Sequence, residues 1–95
     1  ASNGFVGMDA VVFTRGESCL RDYKLPEAQF FTQTFCRHCG SLMPRLDPSR
    51  GLAVIPFGAF DRAPALRPQR HIFVADRAPW FEISDSLPRF DGLAS

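Results

Sequence analysis

The sequence predicts a mainly β domain of short twisted strands with little helix, and three observations predict it. Eight prolines and seven glycines are spread through 95 residues, so turn signals recur too often for a long helix to run between them. The stretches between these breaks are short and rich in β-branched and aromatic residues, the composition of strands that pack on one face. Ten Phe stand beside one Trp and one Tyr, so the core is expected to be built from aromatic layers.

The elements follow in order. Residues 9–15, DAVVFTR, read as a strand that Gly16 stops. Residues 28–35, AQFFTQTF, read as a second strand running straight into Cys36. Residues 52–60, LAVIPFGAF, are apolar, but Pro56 has no N–H for a ladder, which suits an edge strand or a bulge. Residues 71–76, HIFVAD, form the cleanest strand pattern in the chain. Turns are expected at Leu25-Pro26-Glu27, at residues 47–51 (DPSRG) and through residues 64–68. The tail FEISDSLPRF has room for a turn or two of helix before Pro88.

Composition excludes several function classes. Hydrophobic residues make up 45% and charged residues 22%, with a formal net charge of +1. No Lys/Arg run appears, so the electrostatic footprint of a nucleic-acid binder is missing. No apolar run approaches the roughly 18 to 20 residues of a membrane span, and no secretory signal opens the chain, so no membrane partner is expected. Three cysteines cannot all pair internally, which favours a reducing, cytoplasmic setting. The opening ASNGFVGMDA lacks a Met at its start and is punctuated by Gly. It reads as the middle of a longer chain, and residues 1–95 are expected to form a single domain.

The chemistry concentrates in FCRHCGSLMP, residues 35–44. Cys36 and Cys39 have the C-x-x-C spacing that supplies two ligands to a tetrahedral Zn²⁺. Gly40 directly after Cys39 allows the left-handed turn that aims backbone amides at the sulfurs. A strand enters this loop and extended residues leave it, so it can sit on a hairpin. A redox dithiol would want a helix N-terminus after the first cysteine, and none is expected here. An inert pair of core thiols is the third reading.

A structural zinc site usually has four ligands. Cys19, His38 and His71 are the remaining soft or borderline donors. Cys19 reads as a small buried side chain, His38 as pointing out of the loop, and His71 as a hydrogen-bonded structural histidine. None completes the site, so its other ligands are expected outside this chain. The C-terminal stretch RAPWFEISDSLPRF reads chiefly as a Trp80 anchor closing the core. Its functional reading is a pocket wall on which Arg70 or Arg77 meets an anionic group. Asp61 reads as a turn residue rather than a site acid.

The motifs TFCRHCGSLMPR, VIPFGAFD and LRPQRHIFVADRAPWFEISDSLPRFDG, in this order, resemble the C-terminal two-thirds of the GFA/CENP-V family, the glutathione-dependent formaldehyde-activating enzyme and its relatives. The resemblance covers nearly all of residues 13–92. It implies an Mss4-like fold of short twisted antiparallel sheets around zinc, with Cys36 and Cys39 matching the downstream pair of a structural zinc site. The family's upstream cysteine groups, one completing that site and one taken to hold a catalytic zinc, have no match here. By resemblance, the intact protein is a zinc-dependent carbon–sulfur lyase acting on a thiol–aldehyde adduct of the S-hydroxymethylglutathione kind. The competing expectation is a non-catalytic zinc-stabilised binding module. The family's centromere-associated branch suggests that role, but its basic extensions are missing here.

Overall fold

The computed structural model describes residues 2–28 and 31–93. The chain clusters into two compact units, Ala1–Ala63 and Pro64–Ser95.

The first unit holds five strands: β1 (Asn3–Gly7), β2 (Leu20–Lys24), β3 (Thr32–Cys36), β4 (Arg45–Asp47) and β5 (Leu52–Pro56). They form two antiparallel sheets, β1-β5-β4 and β2-β3. No α-helix forms among the described residues, and short 3₁₀ turns make the bends. The mainly β expectation therefore holds.

In the three-stranded sheet, Ala53 stands opposite both Val6 and Leu46 and is fully buried. A small residue suits the middle strand, which is flanked by a partner on each side. β1 alternates exposed and half-buried positions, as expected of a strand with one packed face. Gly4 keeps that packing close: a Cβ there would lie 3.3 Å from the Phe57 ring.

Pro56 does not push β5 to an edge. The strand is central, but β4 pairs only with Leu52 to Val54, and Pro56 faces Asn3 of β1 alone. The missing N–H falls where one neighbour has already ended, which is how a central strand accommodates proline at its last residue.

The hairpin between β4 and β5 is closed by Asp47. Its carboxylate accepts from Ser49 Oγ at 2.5 Å and Arg50 Nε at 2.9 Å, with Arg45 Nη1 at 3.7 Å. The Ser49 hydroxyl first, then Arg50, hold the Asp47 carboxyl down to about 2. Gly51, at φ +64°, supplies the left-handed step that returns the chain into β5.

Two expectations fail in this unit. Residues 9–15 are not a strand. The chain makes a 3₁₀ turn at Met8–Ala10 and then runs outside any ladder, with Val12 80% exposed. Val11 and Phe13 are half-buried, but no strand among the described residues pairs with the run, and strand propensity reports fit to a paired, packed surface rather than a backbone preference. Among the described residues the aromatic core does not form either. Ala53 is the sole buried hydrophobic among the described residues, and Phe5, Phe31 and Phe60 of this unit are exposed.

The second unit has no strand ladder among its described residues. It is a loop clipped by one parallel bridge, His71 to Arg89. Backbone bonds run from His71 N to the Pro88 carbonyl (2.8 Å), from Phe90 N to the His71 carbonyl (2.9 Å) and from Val74 N to the Phe90 carbonyl (3.0 Å). The HIFVAD strand reduces to this bridge because Phe73 adopts φ +53°, ψ +39°, and a 3₁₀ turn follows at Val74–Asp76. A left-handed residue cannot continue a ladder, and on a bulky side chain it is an outlier. The tail makes bends rather than helix. Trp80 does not anchor a core: it is 82% exposed, with its ring edge-on to Phe81.

Candidate metal and substrate site

The cysteine loop sits on a hairpin. β3 ends at Cys36, residues 37–39 turn, and the chain returns through residues 41–43. Cys36 N donates to the Ser41 carbonyl at 2.9 Å, Met43 N to the Thr34 carbonyl at 2.9 Å, and Phe35 bridges Leu42. Inside the loop, Gly40 N donates to the Cys36 carbonyl at 2.7 Å. Gly40 has φ +77°, the left-handed conformation expected at that position. The loop is also tied to β2, because Arg37 N donates to the Cys19 carbonyl at 2.9 Å.

This geometry brings the two thiols together. Cys39 Sγ lies 3.3 Å from Ser41 Oγ. The Ser41 hydroxyl, then the Ser41 backbone N–H, then the Cys36 thiol all favour the Cys39 thiolate, so its pKa falls below the usual thiol value. Hydrogen bonds to the charged form are the cause, as for any acid whose anion is solvated by fixed donors. A thiolate is the form that ligates metal. The donor set therefore fits two corners of a tetrahedral zinc site. No cluster of three or more His, Cys, Asp or Glu able to hold a metal forms among the described residues.

The remaining candidates are scattered. His38 is exposed on the loop, as expected. Cys19 is half-buried rather than buried, and only its carbonyl engages the loop. His71 Nε2 meets both oxygens of Asp85 at 3.0 and 3.1 Å, the structural hydrogen bond expected of it. That bond first, then the backbone N–H of Leu87, lower the Asp85 pKa. Arg77 is exposed and donates through Nη1 to the Val74 carbonyl at 3.1 Å, and Arg70 is exposed beside His71. Asp61 lies exposed in a bend, consistent with a turn residue.

One feature of the site was not legible as a motif. Thr34 is 94% buried (6% exposed), and its Oγ1 donates to Asp22 Oδ1 across the β2–β3 ladder at 2.6 Å. This rung floors an open groove of about 320 Å³ whose walls include Phe13, Glu17, Leu20 and Leu46. Leu20, in the groove wall, is the ladder partner of Cys36. Residues two apart on a strand share a face, so Cys36 stands on the groove's side of the sheet, one rung beyond Thr34.

Comparison with protein families then decides the kinship: the model of the glutathione-dependent formaldehyde-activating enzyme matches residues 1–76. The chain belongs to the glutathione-dependent formaldehyde-activating enzyme family. Comparison with curated proteins yields no match. Comparison with solved structures yields none either. The family match covers β1 through β5, the cysteine hairpin and the groove, and it stops at Asp76. It begins at Ala1, so the family's sequence pattern includes β1. Trp80 and the SDSLPRF tail lie beyond the matched span. The matched description names the formaldehyde-activating enzyme and not the centromere-associated branch.

Proposed function

We propose that this protein is a zinc-dependent carbon–sulfur lyase acting on a thiol–aldehyde adduct of the S-hydroxymethylglutathione type, with Cys36 and Cys39 as two ligands of a fold-holding zinc. The single observation that carries the reading is the cysteine hairpin inside the family match. Two thiols converge there beside a left-handed glycine, and the exposed one is biased toward thiolate.

The reaction is a reversible addition. In the adduct-forming direction the thiol sulfur bonds to the aldehyde carbon, and the thiol proton ends on the former carbonyl oxygen. In the lyase direction that carbon–sulfur bond breaks and the proton returns to sulfur. Zinc in such a protein stabilises a thiolate or polarises a carbonyl. The residues of this chain have other tasks. Cys36 and Cys39 tie the end of β3 to the return segment, and Gly40 sets the turn between them. Arg70 and Arg77 are the proposed cationic contacts for a carboxylate of the substrate. No carboxylate is bonded to either among the described residues.

The test is exchange spectroscopy by NMR on the protein, with formaldehyde and glutathione at equilibrium with their adduct. The expected result is exchange faster than the uncatalysed reaction, lost when the metal is chelated. Exchange at the uncatalysed rate overturns the lyase reading.

A further inference from the structure

β2 has an outer edge whose backbone groups β3 does not use. Leu25 N donates to the Phe31 carbonyl at 3.1 Å, and Arg37 N to the Cys19 carbonyl at 2.9 Å, one position beyond each end of the ladder. In an antiparallel pair, residues that exchange bonds alternate with residues that do not. Arg21 and Tyr23 therefore bond inward to Phe35 and Gln33, and Asp22 and Lys24 turn their N–H and C=O groups outward. β3 keeps the same parity: the Thr34 carbonyl and Cys36 N face away from β2, toward Met43 N and the Ser41 carbonyl. Among the described residues β2 has no second neighbour, and residues 21–24 are exposed. The Leu20 carbonyl accepts from Arg21 Nη1 at 2.7 Å, and Pro26 has no N–H. The open edge is thus the N–H and C=O of Asp22 and of Lys24.

A second copy of β2 can meet this edge in few antiparallel registers, because its own outward residues must stand opposite Asp22 and Lys24 to exchange bonds. With Leu20 opposite Asp22, Arg21 faces Arg21, and the Leu20 carbonyl is already taken. With Asp22 opposite Asp22, two carboxylates oppose. With Lys24 opposite Lys24, two ammonium groups oppose, and Asp22 faces Pro26, which cannot donate. Like charges directly opposite destabilise a ladder. The remaining register sets Asp22 of each copy against Lys24 of the other and Tyr23 against Tyr23. It bonds every open edge group of both copies, and symmetry makes the opposite-charge pair twice. The side chains are free for it. Asp22 Oδ1 accepts from Thr34, which leaves its second oxygen. Lys24 Nζ spends one of its three donors on the Ala28 carbonyl at 2.8 Å. Tyr23, on the other face, is 54% exposed.

We propose that the β2 edge is a self-association surface, on which two copies of this chain pair antiparallel about Tyr23 and join their two-stranded sheets into one. The occupant is a second copy because the edge complements itself in charge under a two-fold rotation. Such an interface is closed, so pairing uses up the open edge on both copies and does not propagate along it. Charges on an edge ordinarily keep other strands away. Here they act against every register but one, and so select it. An edge this short makes a weak, reversible dimer. No residue of the cysteine hairpin takes part, so this surface stands apart from the lyase reading.

The test is sedimentation equilibrium of the protein across about 10 μM to 1 mM, a span that brackets weak association. Wild type is expected to pass reversibly from monomer to dimer. Lys24→Glu sets like charges opposite each other twice and is expected to associate about tenfold more weakly. Mixing it with Asp22→Lys restores a dimer, because each acidic edge then meets a basic one. NMR on a mixture of isotope-labelled and unlabelled wild type reads the register directly. The expected signal is a contact between the Tyr23 Hα atoms of the two copies, which a non-hydrogen-bonded antiparallel pair brings close. A monomer throughout the range, association that runs past the dimer, undiminished association of Lys24→Glu, or a dimer lacking the Tyr23 contact overturns the proposal. If either variant does not fold, the wild-type contact still decides.

Discussion

Leu20 stands directly across the ladder from Cys36, so one strand pair carries both a wall of the groove and the end of the thiol hairpin. Any displacement of β3 against β2 moves both. The next pair on the same face, Asp22 with Thr34, is the first place where this coupling can be probed. Thr34→Val keeps shape and removes the hydroxyl bonded to Asp22. The expected loss is about 1 kcal/mol, the net worth of one hydrogen bond whose acceptor regains water. Chemical denaturation measures it, and metal content should stay unchanged, since no thiol is touched. Stability equal to wild type would mean that the rung does not brace the sheet.

Gly40 offers a cleaner backbone probe. It sits at φ +77°, and a Cβ there would meet no atom within 4 Å. Gly40→Ala therefore pays only the left-handed penalty, about 1–2 kcal/mol. Gly40→Asn should lose less, because Asn tolerates that region. Thermal melts of the two variants check the ranking, and the reverse order would place the cost in side-chain crowding instead.

Acid should loosen the β4–β5 hairpin within a defined window. The Asp47 carboxyl is lowered from 3.8 to about 2, by Ser49 first and Arg50 second. A depressed carboxylate contributes stability above its unfolded value and loses it as pH falls through the folded one. Wild type should thus exceed Asp47→Asn in stability above about pH 4, with the two curves converging toward pH 2. Melts taken across that range decide it, and parallel curves would show that Asp47 is not the titrating group.

How much of this was legible in the sequence depends on how local each signal is. The cysteine loop was, because C-x-x-C-G fixes its own turn: two thiols at a set spacing and a glycine where φ must be positive. The 47–51 turn was legible for the same reason, since Asp, Pro, Ser and Gly close a hairpin with their own side chains and backbone. Strand identity was not. DAVVFTR and HIFVAD have strand composition, yet one finds no ladder and the other is broken by Phe73 at φ +53°. The modest LRDYK and NGFVG pair as β2 and β1. A strand exists only with a partner, and the partner's register is not written in the run itself. The Asp22–Thr34 rung was hidden for that reason too. Its two residues are twelve apart, and only the register brings them together.

The shallow interior bears on the metal. Among the described residues Ala53 alone is a fully enclosed hydrophobic, the other apolar side chains being half-buried or exposed, so a metal cross-link at the hairpin would carry a large share of the stability. Chelation is accordingly expected to lower the melting temperature steeply, because binding free energy of a structural zinc is folding free energy. A melting curve indifferent to chelator would contradict this.

The most direct measurement is zinc per chain, by elemental analysis, on wild-type protein and on Cys36→Ser, Cys39→Ser and Cys19→Ser. With the thiol pair as a metal clip, zinc co-purifies with wild type, falls in the first two variants and is retained in Cys19→Ser. Unchanged zinc in Cys36→Ser and Cys39→Ser would contradict it, and the thiol pair would then have to be read as something other than a metal clip.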